Sequence, residues 1–543
     1  FFQAEDGIRV VERSRGLGDV YKRQPIWLLG DPSKGEFHIY TGGWITTIVD
    51  RDQASNFAFF YTPRGGWGTP LWQAYKPDPI FAEVAYRLDD ADWKTFEERQ
   101  ELMAKAAVLS LKDSVRIWLV DQVSPFPYRK EVQVASDLAS GLFSNPISHR
   151  TVRYKDQIGG TIKSSDREVF VDPWNPFVGT NWAYDAHIII ATVDADYIYN
   201  PYTGLPMPNM FENATVEVLK GTQTMSSSPW LNLKFVDEIK VPTDAWYEWD
   251  SKNQQVIYAP EGTKARAKVV INYGDVLGKV KYHDGSVMTL ADWLIPWPLD
   301  FERNDPDSPF YDESSAPMFA SFKQIFCGWR IVSEHPLITE IYLNYSSLDA
   351  ELILAQAASL TQIDSPTWGI ANFWPSMPWH AKAIGMLAEK KGLLAMSADK
   401  ADEMDVEWMN YIGGPSLAIL KDMLEEAKST GYVPFEKFAS KYVSAEEVSA
   451  RYANLEKWYN EHGHFWVGSG PFYLDSVDFT GHSALIKAFR DYRFKADRWA
   501  WLAQPPIPES TVTAPDSVVP GLKAEFQLSL STMGQPYKND RID

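Results

Sequence analysis

Residues Val280 to Asp292 read VKYHDGSVMTLAD, and this stretch decides more of the fold than any other. The alternation of apolar and polar residues stops at Asp284-Gly285, where glycine supplies a permissive φ. Thr289 then stands as the N-cap of a helix entering at Leu290. The stretch predicts a strand, a tight turn and a helix start in close succession.

Two further stretches carry the same kind of information. Ala320 to Leu343 reads ASFKQIFCGWRIVSEHPLITEIYL, with Glu334-His335-Pro336 in its second half. Gly468 to Tyr473 (GSGPFY) is a glycine-flanked segment, followed at Leu485 to Phe494 by the strand-like LIKAFRDYRF. Upstream, DAWYEWD (Asp244–Asp250) and KARAKVVINY (Lys264–Tyr273) read as strands. Downstream, helical spacing covers Leu348–Ser359 and Ser397–Lys441, and a third helix runs from Ser444, with Glu447 completing a possible capping box, to about His462.

The HDG turn with its following helix, the stretch Ala320 to Leu343 and GSGPFY resemble, in this order, parts of the family 5 extracytoplasmic solute-binding proteins of ABC transporters, the oligopeptide-, dipeptide- and nickel-binding type. Ala320 to Leu343 resembles that family's paired strands, with Glu334-His335-Pro336 at the turn. GSGPFY resembles that family's Gly-Thr-Gly-Pro-Tyr motif, and LIKAFRDYRF its strand ending in Asn-Pro-x-Tyr. The resemblance implies an α/β fold, periplasmic-binding-protein-like type II, in which two lobes close on a ligand. The part present is mainly the β-rich lobe I with helical covers. It implies a protein that captures a peptide or similar small solute outside the cytoplasmic membrane and delivers it to the permease subunits of an importer, without chemistry. An oligosaccharide is the competing ligand, and a secreted glycoside hydrolase the competing enzyme.

The order of segments departs from that family. FHIYTGGW (Phe37–Trp44) and ERQELMAKAAVLSLKDSVRIWLV (Glu98–Val120) resemble its C-terminal part, yet they precede GGTIKSSDREVFVDPWNP (Gly159–Pro176), which resembles its opening strand and loop. A circular permutation accounts for this better than two joined modules, because the parts complement rather than duplicate one another. The chain therefore reads as four segments. Residues 1–24 resemble translated sequencing-adapter sequence, 25–155 the C-terminal part of the binding fold, 156–504 its N-terminal lobe, and 505–543 the start of a truncated β-sandwich. Within the second, Thr95 and Glu98 suggest a capping box, and a buried strand is expected around Val115–Val120. A signal peptide or lipid anchor upstream is compatible with this reading.

Composition narrows the partners. Among 543 residues, 72 are acidic and 52 basic, for a net charge of −20, which disfavours nucleic acid and anionic membrane faces. Cys327 is the only cysteine, so no intrachain disulfide or cysteine-based zinc cluster is possible, and it reads as a small buried apolar residue. No apolar run reaches the length of a membrane span.

The candidate ligand-binding residues are Trp44, at a strand end after Gly42-Gly43, and Asn181, Trp182, Tyr184 and Asp185, with Trp174 and Asn175 in the same loop. Aromatic faces beside a few amide and carboxylate groups suit a pocket that must hold and release a ligand, although tryptophans in a chain with 22 of them are as often core. Gly42, Gly43, Gly468 and Gly470 are hinge candidates. His462-Gly463-His464 has metal-compatible spacing but lacks a second ligand cluster, and reads as a solvated loop. His283 reads as structural, and His380 as lining a cleft or capping a helix. The chain contains no Gly-x-Ser-x-Gly, no His-Glu-x-x-His and no phosphate-binding Gly-x-x-x-x-Gly-Lys, so no catalytic residue, cofactor or metal is assigned.

Overall fold

Alternating side chains build one large sheet. Its strands are β1 (Asn213–Leu219), β2 (Leu231–Val236), β3 (Trp246–Asp250), β4 (Gln255–Tyr258), β5 (Ala267–Gly274), β6 (Phe326–Glu334) and β7 (Leu337–Leu343). They lie in the order β2-β1-β5-β7-β6-β3-β4. β1 and β2 run parallel and the other pairs antiparallel, so the sheet is mixed. Ala214, Val216 and Val218 of β1 share a buried face with Ala267, Val269, Ile271 and Tyr273 of β5. This is the period-2 pattern that KARAKVVINY announces. β6 and β7 form the expected hairpin, and Cys327 on β6 is buried, its thiol pushed up to about 11 by that burial.

The computed structural model describes residues 46, 48–64, 73–121, 123, 125–142, 145–166, 168–180, 182–359, 375–505, 508–515, 517, 519, 521, 523–532 and 535–536. The protein is an α/β protein. Helices α1 (Asn56–Tyr61), α2 (Pro79–Asp89) and α3 (Phe96–Asp113) enclose a small core of their own around Phe81, Val84, Leu88, Leu102 and Ala106. α4 (Pro146–Thr151) and α5 (Ala183–Thr192) precede the sheet in sequence, and α6 (Ala350–Ser359) packs on it. α7 (Trp379–Lys390), α8 (Ser416–Thr430) and α9 (Ala445–His462) pack on one another. Trp174, Trp293, Trp297, Trp329, Trp379 and Trp466 are all fully buried in the main core. Rings of this size supply much of its apolar area.

Local signals read from sequence reappear as bonds. Gly285 takes φ +87° at the turn, Lys281 and Val287 bridge across it, and Thr289 and Asp292 form a reciprocal capping box for the short helix Leu290–Leu294. Ser444 caps α9 by accepting from Glu447 N–H. Thr95 caps α3 by accepting from Glu98 N–H at 3.2 Å, but the Glu98 carboxylate reaches Lys94 N–H and Arg87 instead of closing the box.

Several expectations fail. The strand expected before the HDG turn is reduced to the Lys281–Val287 bridge, and residues 320–325 are helical. Val115–Val120 is neither strand nor buried: Ile117, Trp118, Leu119 and Val120 are 58–78% exposed. Ser114, in the left-handed region at φ +57°, ends α3, and Arg116 and Trp118 then reach Phe60 and Tyr61 of α1 while the apolar side chains around them stay open. The helical block 397–441 is also broken, into Ala398–Met404, α8 and Glu436–Ala439. The left-handed caps Asp405 and Gly431 stop the first two, because a residue there cannot continue a right-handed helix.

α4 is tied to the residues after it by buried charge. Arg150 on α4 donates to Asp194 at 2.8 Å, and Asn209 and Tyr492 donate to the same carboxylate oxygen. Beyond residue 505, Glu509–Thr513, Gln527–Thr532 and Gln535–Pro536 make a three-stranded antiparallel meander. The strand expected at Phe37–Trp44 lies outside the described residues.

Candidate functional site

The loop singled out by sequence is folded against the N-terminus of α5. A strap of residues 168–172 runs beside it, and three side chains stitch the two together. Trp182 Nε1 donates to Glu168 C=O at 3.0 Å. Thr180 Oγ1 donates to Asp172 at 3.2 Å while accepting from Trp182 N–H at 3.0 Å. The Asp185 carboxylate accepts from Phe170 N–H at 2.7 Å and Val171 N–H at 3.2 Å.

This stitching creates an aromatic ledge. Trp182 and Tyr184 meet edge to face with centroids 5.8 Å apart, and Phe170 lies 5.1 Å from the exposed ring of Phe479. Ile188 packs beside them. Behind Phe170, Trp174 and Trp466 continue the aromatic contacts into the core. A ledge with one solvated edge offers stacking area without enclosing what it binds.

The five sequence candidates divide accordingly. Trp182 is half-buried and Tyr184 nearly covered; both are on the ledge. Asp185 is 0% exposed and faces the strap's backbone, not solvent. Trp44 and Asn181 lie outside the described residues, as do Gly42 and Gly43. Trp174 is core, and Asn175 is a buried staple that donates to Met396 and Met409 carbonyls and accepts from Phe177 N–H. Phe170 and Phe479 were missed by sequence reading. Only the fold brings the ring of Phe479, after β8 (Phe472–Asp478), against a residue some three hundred positions earlier.

Behind the ledge the HDG turn meets GSGPFY. His283 N–H donates to Gly468 C=O at 3.0 Å, Gly468 N–H donates to His283 Nδ1 at 3.1 Å, and His283 Nε2 donates to Gly470 C=O at 3.0 Å. This assigns a neutral imidazole with its proton on Nε2. Burial is the first cause that holds its pKa down to about 4. Gly470 N–H then donates to the Thr192 carbonyl at the end of α5. A Cβ on Gly468 would stand 2.0 Å from that carbonyl oxygen, and one on Gly470 2.5 Å from the carbonyl carbon. The glycines thus permit a backbone crossing.

His380 and His464 are also committed. His380 opens α7 and is fully buried, its Nε2 2.8 Å from Asp284, which also accepts from Ser286. His464 is not on a solvated loop: it is buried, accepts from Trp466 N–H on Nδ1 and donates to Leu474 C=O from Nε2. Burial brings its pKa down to about 3. Among the described residues no three His, Cys, Asp or Glu side chains group to hold a metal, and no helix is long and apolar enough to cross a membrane.

Set beside models of known protein families and beside curated proteins, the chain matches none.

Proposed function

We propose that the chain is the substrate-binding component of an ABC importer, with the type II periplasmic-binding-protein-like fold, working outside the cytoplasmic membrane. It captures a peptide or similar small solute and passes it to the permease subunits. The observation that carries this reading is the meeting of the two motifs. The HDG turn and GSGPFY, read separately as marks of one family, interlock through three hydrogen bonds across some 185 positions of sequence. A pairing of motifs in space is a stronger sign of common architecture than either motif in sequence.

The ledge favours a second ligand class. Aromatic faces suit the flat apolar face of a sugar ring as well as a peptide side chain, so an oligosaccharide-binding protein of the same fold is the alternative.

Thermal-shift and intrinsic-fluorescence titrations against peptide and oligosaccharide libraries test the proposal. A saturable rise in melting temperature with one class is expected, growing with ligand concentration as linkage requires. Release of product from a glycoside, without any saturable shift, would overturn it in favour of a hydrolase.

A further inference from the structure

We propose that Asp185 is a positioning residue that latches the aromatic ledge: its carboxylate holds Phe170 in a left-handed conformation, and protonating that carboxylate loosens the ledge. That the ledge meets a ligand rests on the capture reading above, whereas the latch rests on the geometry of the strap.

Phe170 has φ +63°, an uncommon conformation for a residue with a bulky side chain, costing on the order of 1–3 kcal/mol. Something must hold it there. The backbone N–H groups of Phe170 and Val171 converge on the two oxygens of one carboxylate, a charge-assisted pair of bonds. Phe170 in turn aims its ring at Phe479 and Trp174. The conformation, the carboxylate and the ledge are therefore one unit.

That unit is sensitive to proton concentration. Burial is the first cause raising Asp185 to about 7, and the charge of Asp172 adds to it, while the hydrogen bonds from Phe170 and Val171 oppose it. The other ionisable groups on the packed elements have partners of their own. Asp172 accepts from Thr180, and Asp166 lies 3.5 Å from His187, whose ring meets that of His149 at a tilt with centroids 4.4 Å apart. Glu168, on the strap, meets Trp182 through its carbonyl.

The sign separates a latch from a mere structural acid. Because Asp185 is raised from 3.8 in the unfolded chain to about 7, its protonation adds to global stability as the pH falls through that window. The same protonation removes the charge that strengthens both bonds and turns one oxygen into a donor, so the N–H on that side faces a weaker acceptor. Acidification should thus loosen the strap while this group's contribution to global stability increases.

Amide hydrogen exchange resolved at Phe170 and Val171 tests this, corrected for intrinsic exchange. Between about pH 8 and about pH 6 their protection is expected to fall by roughly tenfold, with α5 protection unchanged. At about pH 8 the variant Asp185→Asn, which keeps shape but offers one acceptor, is expected to start at the loosened level and to show no pH step. Equal protection in variant and wild type, or protection that does not change with pH in the wild type alone, would overturn the latch. The second result needs no variant and so survives a folding failure. If the step appears but no peptide or oligosaccharide binds, the latch stands and the capture reading falls.

Discussion

At the scale of single residues, space and protonation decide more than conformation. Neither Gly468 nor Gly470 adopts a positive φ; what they supply is room beneath the Thr192 carbonyl. Gly468→Ala is therefore expected to destabilise the fold by about 2–4 kcal/mol through a backbone clash that cannot relax, read as a lower urea midpoint. Gly262→Ala, at φ +86° but in open space, is expected to cost about 1 kcal/mol. His283 and His464 give the second expectation. Their folded pKa values, about 4 and about 3, lie below the ordinary 6.5, so the unfolded chain takes up protons first. Their contribution to stability is complete above 6.5 and is lost as the pH falls from there towards 4 and 3. Across that range the two histidines lower the measured unfolding free energy on acidification while Asp185 raises it, so His464→Gln should remove part of the downward contribution and shift the slope in the positive sense on acidification. An equal slope in the variant would remove His464 from the account.

At the scale of elements, caps were legible and burial was not. Thr289, Asp292, Ser444 and Thr95 could be read because an N-cap is settled within four residues. Ile117 to Val120 could not, because a strand-like apolar run is buried only if another element arrives to cover it. Here the described residues meet it at Trp118, whose indole donates to Tyr61 and lies edge to face on Phe60, and leave Ile117, Leu119 and Val120 open to water. The double substitution Ile117→Lys, Leu119→Lys is expected to leave the melting temperature within about 2 °C while reducing concentration-dependent light scattering. A large loss of melting temperature would mean that this run is packed in solution. Asp185 was misread for a related reason. An acidic residue between aromatics has the composition of a binding loop, and only its two backbone partners reveal a structural carboxylate.

At the scale of the whole molecule, a large main core and a small helical cluster near the start of the described residues share one chain. The cluster of α1, α2 and α3 is small and meets the main body through polar links such as Arg51 to Asp349, at 2.9 Å, and Arg266 to the Asp90 carbonyl. It is expected to open at lower denaturant than the tryptophan-rich core, so hydrogen exchange in rising urea should give two steps, with α2 and α3 in the first. A single step shared with β5 and β7 would show one cooperative unit. The sequence by itself determined what is local: the alternation of β5, the β6–β7 hairpin, the HDG turn, and the caps of α3 and α9. These depend on periodicities and short-range bonds carried by neighbouring residues. Tertiary structure alone decided which tryptophans became core, that Phe170 and Phe479 share a ledge, that Asp185 faces backbone, and that His283 joins the HDG turn to GSGPFY. Each of these joins residues distant in sequence, and burial is a property of what the rest of the chain brings to a position.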